Sequence, residues 1–195
     1  MNNKSYHHGD LKNALIEAGI KIVHKEGIQQ LSLRKVAAIC GVSHAAPYKH
    51  FKDKASLLEA MQLHITEQFS KLLNDIVEEY QNDTDIMHHL GHAYLRFFIE
   101  NPHYYHFIFG QIGIHINLEN EDKENYPPYN IFRNISITVL EKQQIPKEKF
   151  TQNITAMWAV IHGITAMAAM DTTSYSGDWN VLLDKIMREN FVFSG

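Results

Sequence analysis

Apolar residues along the chain recur every three or four positions, in segments separated by short polar breaks, and no stretch alternates with the period of two that a half-buried strand shows. Leu11, Ala14, Leu15, Ala18, Ile22 and Val23 predict a first helix from about His8 to Glu26, stopped by Gly27. Leu33, Val36, Ala37 and Cys40 predict a second, with Ser32 as its cap and Arg34 and Lys35 outside. Gly41 ends it, because a left-handed backbone costs glycine nothing, and Val42 then turns into the core. Ser43 is expected to cap another helix running to Phe51, polar outward and plugged by Phe51 inward. Asp53 caps the next, in which Leu57, Met61, Ile65, Phe69, Leu72 and Ile76 form a stripe to about Tyr80.

Ile86, Leu90, Ala93, Tyr94 and Phe97 predict a helix ending near Glu100-Asn101-Pro102, followed by a short aromatic helix from Tyr104 to Phe109. Residues 110–128 are polar and turn-rich and are expected to form a long surface loop. Helices are predicted over 129–144 and 147–170, the latter started by Pro146, and a last one after Asp178 with Trp179, Leu182, Leu183, Ile186, Met187 and Phe191 on its apolar face. The segment from Ala156 to Met170 is apolar nearly all round and must be covered on two sides. One cover is its own domain. A partner subunit is the other, because Gly163, Ala166, Ala168 and Ala169 allow a second helix to approach closely.

Helix, Gly-x-Ser turn and helix over residues 33–51 have the spacing of a helix-turn-helix, whose second helix lies in the DNA major groove. The surroundings are more specific than the turn. Tyr6-His7-His8-Gly9-Asp10-Leu11, Leu33-Arg34-Lys35-Val36-Ala37, Gly41-Val42-Ser43, Tyr48-Lys49-His50-Phe51-Lys52-Asp53-Lys54 and Leu57-Leu58 follow one another in the order of the TetR family of bacterial regulators, which residues 6–62 resemble. Trp158, His162 and Gly163 resemble the Trp-x-x-x-His-Gly element of a TetR subfamily C-terminal domain, over roughly residues 85–192. The resemblance implies an all-α fold, with a three-helix DNA-binding domain in residues 1–53 and a helical effector-binding and dimerisation domain in residues 54–195. It implies a homodimeric repressor that leaves a palindromic operator when a small molecule binds. Ser43, His44, Ala45 and Lys49 would face base edges, Tyr48, His50, Lys52 and Lys54 would grip phosphates, and Arg34 would enter from the preceding helix. Pro47 departs from the aliphatic residue usual at its position. It lacks an N–H, so the first turn of the reading helix is expected to be distorted or tightened.

Charge fits this division. Residues 1–60 carry nine Lys or Arg against five acids, a balance of +4, while the whole chain is −4 and the remainder therefore −8. Attraction to phosphate is needed on one face only. Cys40 is the single cysteine, which excludes an intramolecular disulfide and reads as a small core residue. The polar start has no apolar h-region, and the longest apolar run, Ile154–Met170, is shorter than the roughly 20 residues that span a bilayer, so a cytoplasmic protein without membrane contact is expected.

Thirteen histidines raise the question of a metal, with His88 and His92 on one helix face and His103 and His106 on another. HExxH and clustered Cys are missing, the one Glu-x-x-His (Glu100 to His103) is broken by Pro102, and no nucleophile elbow, phosphate loop or GxGxxG occurs. No metal, cofactor or enzymatic activity is therefore expected. The competing reading is an all-α enzyme or small-molecule sensor whose helix-turn-helix is structural. Tyr94, Phe97, Phe98, Tyr105, His106, Phe109, Phe132, Trp158 and His162 are the candidate lining for an effector, an apolar surround with a few polar tips that suits an uncharged or cationic amphipathic compound.

Overall fold

The computed structural model describes residues 8–119 and 123–191, which are predominantly helical, with turns and loops between the helices and no strand among the described residues. Tyr6 and His7 lie outside them. Among the described residues eight α-helices follow in order: α1 (His8–Glu26), α2 (Leu33–Ile39), α3 (Lys54–Tyr80), α4 (Ile86–Glu100), α5 (Pro102–Tyr105), α6 (Pro127–Lys142), α7 (Phe150–Ala169) and α8 (Trp179–Asn190). They form two compact units, one built from the residues up to Ile65 together with His106–Gly113, the other from Thr66–Tyr105 and the residues from Ile114 onward.

In the first unit, Leu15, Ile20, Ile22, Val36, Leu57 and Met61 are sealed from solvent. Gly19 permits this closeness, because a Cβ there would lie 2.9 Å from Met61 Sδ. The ends of α2 follow the sequence expectation in atomic detail. Ser32 Oγ accepts the Lys35 N–H at 3.2 Å, and Gly41 adopts φ 66°. Gly41 N then donates to Ala38 O at 3.2 Å and Val42 N to Ala37 O at 3.0 Å, the paired bonds of a Schellman motif. Asp53 Oδ1 accepts the Ser56 N–H at 2.8 Å and Ser56 Oγ accepts the Asp53 N–H at 3.1 Å, a reciprocal cap on α3.

The second unit is organised around α4, which packs against α6, α7 and α8. Asp178 caps α8 by accepting the Asn180 N–H at 2.7 Å. Only Leu183 and Met187 of α8 are buried, while Val181 is 64% exposed. On α7, Ile154, Trp158, Ile161 and Thr165 face the interior and Met167 faces out at 44% exposure, as does Met170 just past its end at 45%.

Four expectations are corrected. The helix expected from Ser43 to Phe51 is a turn at residues 44–46 followed by a single 3₁₀ turn, Pro47–Lys49. Pro47 cannot donate to Ser43 O, which takes the Ala46 N–H at 2.9 Å instead, so the bonding shortens from four residues to three. Leu73, not Leu72, is the core residue near the end of α3, because the stripe drifts around the helix. The short aromatic helix does not stop at Phe109: α5 passes into a π-helical segment, His106–Ile112, closed by a bond from Gly113 N to Ile108 O at 3.0 Å, and Gly113 ends it with φ 77°. The following loop is shorter for that reason, and Pro127, suited to a first helical turn, starts α6 ahead of the expected Tyr129.

Candidate nucleic-acid interface and effector site

The Schellman turn at Gly41 delivers the chain into an exposed reading segment anchored from within. Pro47 and Phe51 are buried, whereas Ser43, His44, Ala45, Tyr48 and Lys49 are exposed, Tyr48 at 55%. Arg34 and Lys52 are also exposed, and His50 is half-buried with its ring tilted against Phe51. Ser43, His44, Tyr48, Lys49 and His50, all capable of meeting phosphate or base edges, thus lie on a segment whose backbone is fixed by three bonds: Ala46 N to Ser43 O, Lys49 N to Ala46 O at 3.2 Å, and His50 N to Pro47 O at 2.9 Å. Lys54 is placed differently from its neighbours. Its ammonium donates to Ile28 O at 2.6 Å, tying the start of α3 to the 3₁₀ turn that follows α1. Lys35, beside Arg34, pairs with Glu26 at the end of α1. Bonds from the Ser56 N–H hold the Asp53 carboxyl below the usual range, so this acid stays ionised as the cap of α3.

The nine candidate effector residues divide between the units. His106 and Phe109 belong to the first unit, where His106 stacks on His24 at 5.4 Å. The other seven come together in the second. His162 is at their centre: Tyr94 OH lies 2.9 Å from its Nδ1 and Tyr105 OH 3.2 Å from its Nε2. Trp158 lies parallel to its ring at 6.0 Å and meets Tyr94 edge-on at 5.4 Å. Phe132 approaches Trp158 at 5.3 Å, and Phe98 meets Tyr105 edge-on at 5.5 Å. Phe97 stacks on Phe69 at 4.9 Å. Burial pushes the Tyr94 hydroxyl well above its ordinary value and Tyr105 to about 12, and it pulls His162 down, so the Tyr-His-Tyr chain is neutral around pH 7.

Two residues absent from the sequence expectation join this cluster. Tyr129, at the start of α6, is fully buried with its ring edge-on to Trp158 at 5.0 Å, and Thr165 lies on α7 three residues beyond His162. Both bury a hydroxyl oxygen with no hydrogen-bond partner. The sequence pattern places Tyr129 at the first position of a helix, and nothing in its residue type marks it as part of the cluster. A separate cavity of about 480 Å³ is floored by Leu72, Ile76, Ala93 and Phe97 and rimmed by His92 and Arg96. His88 and His92 both reach Asp184 Oδ1 at 2.9 Å, and among the described residues no group of three or more His, Cys, Asp or Glu is arranged to hold a metal ion. No helix among them is long and apolar enough to cross a membrane.

Comparison with known proteins agrees with the fold. Residues 15–61 match the family of bacterial regulatory proteins of the tetR type, and residues 87–189 match a tetracyclin repressor-like C-terminal domain. The HTH-type transcriptional regulator YerO of Bacillus subtilis strain 168 is 34% identical over 64 residues, which are 32% of this chain and 22% of that protein. The chain therefore matches less than a quarter of that relative's length. Among solved structures, a protein of unknown function from Rhodococcus sp. RHA1 superposes with a TM-score of 0.74 at 23% identity, covering 96% of both chains. A regulatory protein of the tetR family from Rhodococcus RHA1 superposes with a TM-score of 0.68 at 16% identity, over 92% of this chain and 94% of that one. These likenesses are of fold.

Proposed function

The chain belongs to the TetR family of bacterial regulatory proteins and is a DNA-binding transcriptional regulator, and from that premise we propose that it acts in the cytoplasm as a homodimeric repressor released from its operator by a small molecule. The observation that carries the DNA-reading part is the segment after Gly41. Its exposed faces carry His44, Tyr48 and Lys49 while Pro47 and Phe51 anchor it inward. In this reading residues 1–53 form the DNA-binding domain, Ser43, His44, Ala45 and Lys49 address bases, and Arg34, Tyr48, His50, Lys52 and Lys54 address phosphates. Lys54 gives one of its three ammonium N–H groups to Ile28 O and has two left for a phosphate.

Residues 54–195 form the effector-binding and dimerisation domain. The apolar residues that α7 and α8 leave exposed, among them Met167, Met170 and Val181, support pairing with a second copy through these helices, since patches of this kind mark interaction sites. Two heads so coupled read a palindrome. The effector is an uncharged or cationic apolar compound held by Tyr94, Tyr105, Trp158 and His162. The neutral Tyr-His-Tyr chain offers hydrogen bonds to it, whereas an anion would find no countercharge there. An effector that loosens DNA binds the DNA-bound protein more weakly by the same factor.

A gel shift over a range of salt tests the reading. Retarded DNA whose affinity falls steeply as salt rises supports it, because phosphate contacts release counterions. No retardation at low salt would defeat it.

A further inference from the structure

Pro47 touches the recognition problem without offering any group to a base. It is buried. Its ring nitrogen carries no hydrogen, so the α-helical bond that residue 47 would give to Ser43 O cannot form, and that oxygen is satisfied by Ala46 N at 2.9 Å. The shorter bonding pattern then continues through Lys49 N to Ala46 O at 3.2 Å and His50 N to Pro47 O at 2.9 Å. Phe51 N returns to four-residue spacing, also on Pro47 O at 2.9 Å, where the segment rejoins the core. The reading segment is therefore a turn closed on Ser43 O followed by a single 3₁₀ turn that begins at the proline.

The geometric consequence is of the size that matters for base reading. A 3₁₀ turn advances about 2.0 Å and 120° per residue, against about 1.5 Å and 100° for an α-helix. Over the three steps from Ala46 to Lys49, the single 3₁₀ turn carries Lys49 about 1.5 Å further along the axis and about 60° further around it. The spacing of successive bases on one strand is about 3.4 Å. Lys49 thus arrives a little under half a base step further along, and turned by about 60°, relative to where an α-helix of the same sequence would put it. Ser43, fixed by the turn after Gly41, stays where it is.

We propose that Pro47 is a specificity-determining residue acting through the backbone: by withholding one N–H it sets which base edge Lys49 reaches relative to Ser43. This rests on the DNA-reading proposal above. The proposal concerns which sequence is bound, not whether DNA is bound.

The test is enrichment of DNA from a random pool by the full-length protein and by Pro47→Ala and Pro47→Val, with sequencing of what each retains. Both substitutions restore the N–H, and Val also refills the buried space, so their common effect is that of the backbone. The expected result is that the two variants enrich one shared sequence, differing from the wild-type sequence at one or two positions within each half-site, with salt dependence unchanged. Should one variant fail to fold, as read by circular dichroism, the other decides. Enrichment of the wild-type sequence by a folded variant overturns the proposal, and so does enrichment of two unrelated sequences, which would locate the effect in the side chain. If the wild-type protein enriches nothing, the DNA-reading proposal itself fails and takes this inference with it.

Discussion

Replacing Tyr94 by Phe removes one oxygen from the centre of the second unit and leaves its ring in place. The hydroxyl lies 2.9 Å from His162 Nδ1, and the other ring nitrogen is 3.2 Å from Tyr105 OH. The edge-on contact with Trp158 at 5.4 Å and with Phe69 at 5.0 Å would survive in the variant, so no cavity is opened. What is lost is a bond between neutral groups, plus the partner of a ring nitrogen that burial already denies its charge. Leaving such a group unpaired costs about 1–3 kcal/mol, and the lower part of that range, about 1–2 kcal/mol, applies because His162 is only half-buried. At about 2–4 °C per kcal/mol for a chain of this size, Tm falls by roughly 2–8 °C. Urea unfolding of the wild type, Tyr94→Phe, His162→Leu and the double variant isolates the pair. The double variant should be about 1 kcal/mol more stable than the sum of the single losses implies. Additivity within about 0.5 kcal/mol would refute the hydrogen bond as a stabilising link.

Gly41→Ala forces a side chain into φ 66° at the end of α2 and should cost about 1–2 kcal/mol, seen as a lower urea midpoint; an unchanged midpoint would show that the turn relaxes freely. Acidification should destabilise the second unit through His162, whose folded value lies below the ordinary imidazole value. As pH falls below about 6.5 the unfolded chain takes up a proton that the folded chain does not, and stability drops until the folded value is passed. The urea midpoint should therefore fall between pH 7.5 and 5.5 by more in the wild type than in His162→Leu, and equal falls would assign the effect elsewhere. Met167→Arg places a charge on the exposed apolar face of α7 and should yield monomers by light scattering, while a persisting dimer would move the interface away from α7.

The sequence made the starts of α2, α3 and α8 legible because each is marked by a capping side chain that acts locally. Ser32, Asp53 and Asp178 were expected as caps, and each accepts a backbone N–H from the first turn of its helix. Gly41 was expected to end α2, and its positive φ does so. The reading segment was harder, since the apolar spacing of a short helix fits three residues per turn as well as 3.6. Pro47 warned of tightening, but only the bonds show that the α-helix is replaced altogether. The π-helical stretch at His106–Ile112 was not readable, because a register of five leaves no mark in a pattern of apolar residues every three or four. Of the candidate effector residues, the aromatic composition pointed to Tyr94, Trp158 and His162, which do meet, whereas His106 and Phe109 are near Tyr105 in sequence and belong to the other unit. Tyr129 and Thr165 were missed because partnerless burial is a property of the packing and not of the residue type.

The central claim is that two copies of the segment from Ser43 to Lys49 read DNA together. Sequencing the DNA that the wild-type protein enriches from a random pool tests it most directly. The account predicts two inverted copies of one short motif with a fixed spacing, their centres about one helical turn apart or a multiple of it. Enrichment of a single unrepeated motif, or of none, would contradict it.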